Sequence, residues 1–174
     1  QLAKGELTKL TEPIYLLRAM AKVEVKLDAS IAEDFDLTSV LVDKYNSTGN
    51  VLPSYTTLQD TELMNEQSVF NPNASLVENA LAFNEVEGEE TFFIYLPEYQ
   101  NVGEDVTPAE MKVVIDGIEY NLHFKDYTDD SPFNIVRNHY YQYTITGVNG
   151  GVELELNYQV ENWTDVKNPT INFQ

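Results

Sequence analysis

The stretch VELELNYQVEN, residues 152 to 162, admits very few folded conformations. Val152, Leu154, Leu156, Tyr158 and Val160 occupy every second position, with Glu153, Glu155, Asn157, Gln159 and Glu161 between them. Side chains of an extended chain point alternately to opposite faces, so this spacing makes one apolar row and one polar row. A helix would smear both rows around its circumference. Period two therefore dictates a strand with one wet face.

The same period recurs along the chain. Tyr141, Tyr143 and Ile145 alternate with Gln142, Thr144 and Thr146, and Gly147-Val148-Asn149-Gly150-Gly151 separates them from the next alternating run. The two runs predict an antiparallel hairpin. In AKVEVKLD, residues 21 to 28, Ala21, Val23, Val25 and Leu27 oppose Lys22, Glu24, Lys26 and Asp28; IYLLR, residues 14 to 18, runs into it. MKVVIDGIEYNLHF, residues 111 to 124, predicts a hairpin about Asp116-Gly117, a pair that tolerates the positive φ of a tight turn. TFFIYLP (91 to 97) and LTSVLVDKY (37 to 45) are further strands, and TINF (170 to 173) is short enough for an edge.

Helix signals are few. SLVENALAF, residues 75 to 83, places Ser75 and Glu78 as a capping box and predicts at most two turns. Thr107-Pro108-Ala109-Glu110 has proline where a first helical residue belongs and predicts a single turn. Between Asn46 and Glu90 the periodicity is weak and loop residues dominate. Short strands with one-sided alternation predict an all-β fold, an antiparallel β-sandwich with short helices in loops.

The totals limit function more than fold. A chain of 174 residues suits one domain with its own core. No apolar run approaches 18 residues, so no spanning helix is expected. The net charge of −19 repels phosphate backbones and argues against nucleic acid as a partner. The absence of cysteine removes disulfides, thiolate nucleophiles and cysteine-based zinc sites together. A start at Gln1 without a basic-then-apolar leader reads as a processed or truncated product.

Candidate chemistry is sparse. Arg137-Asn138-His139 is the strongest cluster, in a chain whose other histidine is His123. Strand alternation would send Asn138 away from its neighbours, leaving Arg137 and His139 to snorkel at a sheet end while Tyr141 begins the core. Acidic clusters at Glu33, Asp34, Asp36, at Glu87, Glu89, Glu90 and at Asp126, Asp129, Asp130 follow no calcium-loop order and read as solvated loops. A carboxylate pair for sugar hydrolysis would need convergence in a cleft, which spacing does not indicate. The glycosylation-type triplets at Asn46, Asn73 and Asn162 carry little weight, and Trp163 reads as a plug beyond the last strand. No catalytic, cofactor-binding or metal-binding residue is assigned.

Four segments together resemble one family. LLRAMAKVEVKL (16 to 27) resembles an "R-x-x-A-K-V-x-V" strand, and FFIYLPEYQN (92 to 101) an "F-Y-x-P-E" strand-to-loop segment. FNIVRNHYYQYTITGV (133 to 148) is similar to an "I-x-R-N-x-x-Y-x-x-x-I" strand, and LELNYQVENWTDV (154 to 166) to a closing "V-x-x-W" strand. The motifs and their order resemble the fimbrillins, fimbrial (type V pilus) subunits of Bacteroides-type bacteria.

The resemblance implies a transthyretin-like Greek-key sandwich without enzymatic activity, cofactor or metal. It implies a cell-surface fimbrial subunit or adhesin, in a fimbrium or at the outer membrane of a Gram-negative bacterium, exported as a lipoprotein precursor. Its implied partners are other fimbrial subunits joined by inter-subunit strand addition, and a host or bacterial surface ligand. Residues 13–174 would form the sandwich domain, resembling a second fimbrillin domain, and 1–12 the remnant or linker of a first. Arg18-Ala19 then lies in a core strand, away from the site of proteolytic maturation. TINF is the candidate strand to donate or pair. A glycan-binding surface module is the alternative, with Tyr45, Tyr55, Tyr99 and Tyr127 as stacking candidates.

Overall fold

The computed structural model describes residues 18–50, 73–149 and 153–162. Among these residues there are eleven strands and no helix. They are β1 (Ala21–Leu27), β2 (Leu37–Val42), β3 (Tyr45–Asn46), β4 (Leu76–Val77), β5 (Leu81–Ala82), β6 (Asn84–Glu85), β7 (Thr91–Leu96), β8 (Glu110–Ile115), β9 (Ile118–His123), β10 (His139–Asn149) and β11 (Glu153–Asn162). One sheet has the order β11-β10-β1-β7-β6, the second β5-β2-β8-β9, and β3 pairs with β4. One hydrophobic cluster joins the two larger sheets: Val23, Val25, Ile94, Tyr141 and Tyr143 come from one, Val40, Met111, Val113 and Leu122 from the other. This is the all-β sandwich that the alternation predicts.

The inward rows are those read from the sequence. Ala21, Val23, Val25, Tyr141, Tyr143 and Ile145 are wholly buried. β10 and β11 pair antiparallel from His139↔Asn162 to Asn149↔Glu153, with a bulge between Ile145 and Gly147. A Cβ on Gly147 would stand 3.0 Å from a carboxylate oxygen of Glu155, so the bulge brings backbone and side chain close. β8 and β9 meet through Asp116 and Gly117, whose φ angles of 50° and 78° match a tight hairpin turn.

Four expectations need correction. β1 runs antiparallel to β7 but parallel to β10, so the larger sheet is mixed. Period two fixes which face a residue occupies and not the direction of its neighbour. On β11, Leu154, Leu156, Tyr158 and Val160 are only half-buried, because β11 stands at the sheet's edge.

The helix over 75–83 is absent: Leu76–Val77 pair with Tyr45–Asn46, and Leu81–Ala82 with Leu41–Val42. The Ser75 hydroxyl accepts from the Thr48 amide at 3.1 Å instead of capping its own chain. A two-turn helix is too marginal to resist that pairing. The turn at 107–110 is also absent. The Tyr99 hydroxyl donates to the Thr107 carbonyl, while the Ala109 and Glu110 amides donate to the side chains of Asn101 and Asp43. The segment's backbone groups are thus bonded elsewhere.

Residues 1–17, Tyr55, Val152, Asn162's side chain, Trp163 and TINF lie outside what is described.

Candidate functional site

Arg137, Asn138 and His139 lie where β10 begins, at one end of the sandwich, and all three are buried. They do not snorkel. The guanidinium of Arg137 donates to Glu98 Oε2 at 2.9 Å, and each side chain of the pair is 2% exposed. The Arg137 amide donates to Glu98 Oε1 at 3.4 Å. Asn138 has φ +58°, so it turns the chain before β10 starts and strand alternation does not apply to it. Its amide donates to the Met20 carbonyl at 3.0 Å, tying this turn to the start of β1. The ring nitrogen Nδ1 of His139 lies 2.8 Å from the Arg137 carbonyl oxygen.

Around this pair, side chains take over the hydrogen bonding of irregular backbone. Tyr141's hydroxyl accepts from the Val136 amide at 2.8 Å and donates to the Asn134 carbonyl at 3.0 Å. Burial pushes this phenol far above its ordinary pKa. Asn134 Oδ1 accepts the amides of Asn101 and Val102, and Asn46 donates its side-chain amide to the Glu98 carbonyl at 2.6 Å. The cluster locks the loop after β7 to the loop before β10. Its groups bond one another and the protein's own backbone, so the arrangement is a structural clasp. The two residues marked by the "P-E" and "R-N" motifs, Glu98 and Arg137, meet here.

The other candidates do not converge on it. His123 sits on the smaller sheet, 3.6 Å from Glu110 Oε1 across the β8–β9 ladder. Asp126 and Asp129 cap local turns, accepting from Thr128 and Ser131. Glu90 accepts the Leu37 amide at 3.1 Å. Among the described residues no group of three metal-ligating side chains is placed to hold a metal ion. Asn46 is fully buried and Asn73 bonds both ends of its amide to the Gln100 backbone, so both triplets serve the fold. The described stacking candidates are engaged by the fold as well. Tyr99 is buried; Tyr45 and Tyr127 pack against the core, and Tyr127's hydroxyl bonds the His123 backbone.

The sheet margins differ from this closed interior. Among the described residues β11 has one sheet neighbour, β10, and so presents a ten-residue edge. β5 and β6, at two other edges, are two residues long, and β9 is six. Beside β11 an open groove of about 480 Å³ is lined by Val102, Asp126, Ser131, Pro132, Phe133, Asn134 and Tyr158. Phe133 stacks between Tyr141 and Tyr158, at 5.4 and 5.5 Å, so rings from both sides of the groove are continuous with the core. Burial, helped by Asp126 and Asp129, raises the Tyr158 phenol to about 12. The missed signal is the long uninterrupted alternation of 152–162 itself. It contains no proline and no inward-facing charge, the usual guards of an edge.

On Glu24 the expected wet face of β1 is also modified. Its carboxylate accepts from Lys22 at 2.7 Å and from the Tyr140 hydroxyl. Burial opposes its charge, but these bonds prevail and hold the carboxyl below its ordinary value.

The fold has solved counterparts. The tip fimbrial protein Mfa3 from Porphyromonas gingivalis superposes with a TM-score of 0.55 at 14% identity, over 84% of this chain and 52% of that one. A protein from Bacteroides uniformis, assigned provisionally to cell adhesion, gives 0.51 at 12% identity, over 85% and 52%. The chain spans about half the length of these structures. No family model matches it, and no curated protein does.

Proposed function

We propose that this chain is a non-enzymatic subunit of a cell-surface fimbrium, or a fimbria-associated adhesin, that joins its neighbours by strand addition. The observation that carries the reading is β11, which among the described residues is a ten-residue strand at a sheet margin with its apolar row only half covered. An unpaired edge offers a row of backbone donors and acceptors to an incoming strand, and uncovered apolar side chains add a gain from burial. The shared fold with a tip fimbrial protein and the order of the four motifs support the same reading. On it, residues 13–174 form one sandwich domain of a longer surface protein, matured from a lipidated precursor at the outer membrane of a Gram-negative cell. Its partners are other fimbrial subunits, with a surface ligand for the adhesin role.

The test is assembly. Deleting residues 168–174, which include TINF, is expected to reduce higher oligomers of the co-expressed subunits by sedimentation. The β-sheet circular dichroism of the isolated chain should stay unchanged. Oligomers that persist at full yield without those residues would refute TINF as the donated strand.

A further inference from the structure

The outward row of β11 is Glu153, Glu155, Asn157, Gln159 and Glu161: three carboxylates and no cation. Their cross-strand neighbours on β10 are Asn149, Gly147, Thr144, Gln142 and Tyr140, none of them a cation; Lys26 of β1, one strand further, shares a small pocket with Asn157 and Gln159 and leaves the three glutamates without a basic neighbour across the ladder. Glu155 accepts from the Asn149 side-chain amide at 2.6 Å, and Glu161 from Gln159; both donors are neutral. The inward row, Leu154, Leu156, Tyr158 and Val160, is half-buried and packs against the core.

We infer that β11 accepts an extended segment with apolar residues at alternate positions and lysine or arginine between them. This rests on the strand-addition reading and specifies the partner strand. An added strand has the pleat of β11, so its side chains also alternate between the two faces. On the inner face it meets Leu154, Leu156, Tyr158 and Val160 and must be apolar. On the outer face it meets the carboxylates. Opposite charges directly across a ladder attract and like charges repel. A second β11 is therefore a poor occupant, because it would bring glutamates against glutamates. With a net charge of −19, the rest of the chain disfavours an acidic partner too.

Three peptides test this on the full chain: alternating valine–lysine, alternating valine–glutamate, and a shuffled valine–lysine sequence of equal charge. Binding is read by fluorescence anisotropy at low salt, and its position by amide hydrogen exchange. The alternating basic peptide is expected to bind at least about tenfold more tightly than the acidic one, three charge pairs being enough for that ratio. It should slow exchange at alternate amides of β11 and outbind the shuffled peptide. The E153Q/E155Q/E161Q variant, altered only at exposed positions, should bind basic and acidic alternating peptides within about threefold of each other.

Equal binding of the alternating and shuffled basic peptides would overturn the inference, reducing it to bulk charge attraction. So would protection on β9 instead of β11, or no binding because another part of the same chain already covers the edge. If subunits assemble by strand addition while β11 exchange stays unchanged, the inference falls and the function proposed above survives. If subunits assemble with no strand exchanged at all, that function falls.

Discussion

Replacing Glu98 by glutamine tests whether the Arg137 cluster is structural. Glutamine keeps the shape and an acceptor for the Arg137 amide but removes the charge 2.9 Å from the guanidinium. Each side chain is 2% exposed, so water screens little of the loss. Removing one partner of such a buried pair costs about 3–5 kcal/mol, because the other charge is left without compensation. For a chain of this size that lowers the melting temperature by roughly 6–20 °C.

Replacing both residues, Glu98 by leucine and Arg137 by methionine, should cost far less, about 1 kcal/mol or less, since no buried charge then remains. Urea denaturation of wild type, E98L, R137M and the double variant closes the cycle, with E98Q measured beside it. A loss below about 1 kcal/mol for E98Q, with additive single effects, would refute the reasoning, for that is how a solvated surface pair behaves.

Two further outcomes follow from other parts of the fold. Gly117→Ala should cost about 1–2 kcal/mol in denaturant melts: φ is +78° and nothing lies within 4 Å of the new Cβ, so the penalty is that of the backbone alone; an asparagine there should recover part of it, and an unchanged midpoint for alanine would contradict the turn. In the alkaline range Tyr141, Tyr143 and Tyr158 hold their protons longer when folded, with Tyr158 raised to about 12. The unfolded chain therefore binds fewer protons above pH 10, and stability must fall as pH rises from about 10 through 12; tyrosinate absorbance should appear together with loss of sheet, and full ionisation of a still-folded chain would contradict the burial.

Period two made the core legible. It identified the buried face of β1 and β10 and the Asp116-Gly117 hairpin without reference to distant residues. It carries no record of which strand lies beside which, so the parallel β1–β10 pair and the split into two sheets were not readable. The helix expected at 75–83 failed for a related reason: its capping residue, Ser75, is bonded by Thr48, 27 positions away. At Arg137–His139 the alternation rule was applied one residue too early. Asn138 lies in a left-handed turn, and the partner of Arg137 is 39 positions back in another loop. Only the motif resemblance marked both residues, and it did so without giving their contact.

The buried clasp and the open edge belong to the same mechanical arrangement. β10 is held in place by its parallel neighbour β1, by wholly buried Tyr141, Tyr143 and Ile145, and by the Glu98–Arg137 pair at its start. β11 is registered against β10 almost end to end, and among the described residues its other side has no sheet neighbour. For the strand addition proposed above, ordering of the acceptor would be completed during folding, and on docking only the incoming strand would lose conformational freedom. The bulge at Ile145–Gly147 faces Leu156 and Glu155 and increases twist there. The regular template is accordingly the run from Leu156 to Asn162, beside the groove that Tyr158 and Phe133 line. On the proposed strand-addition reading, a rigid interior holds the edge in register, and loosening the clasp should weaken strand capture through β10 without touching a single contact residue.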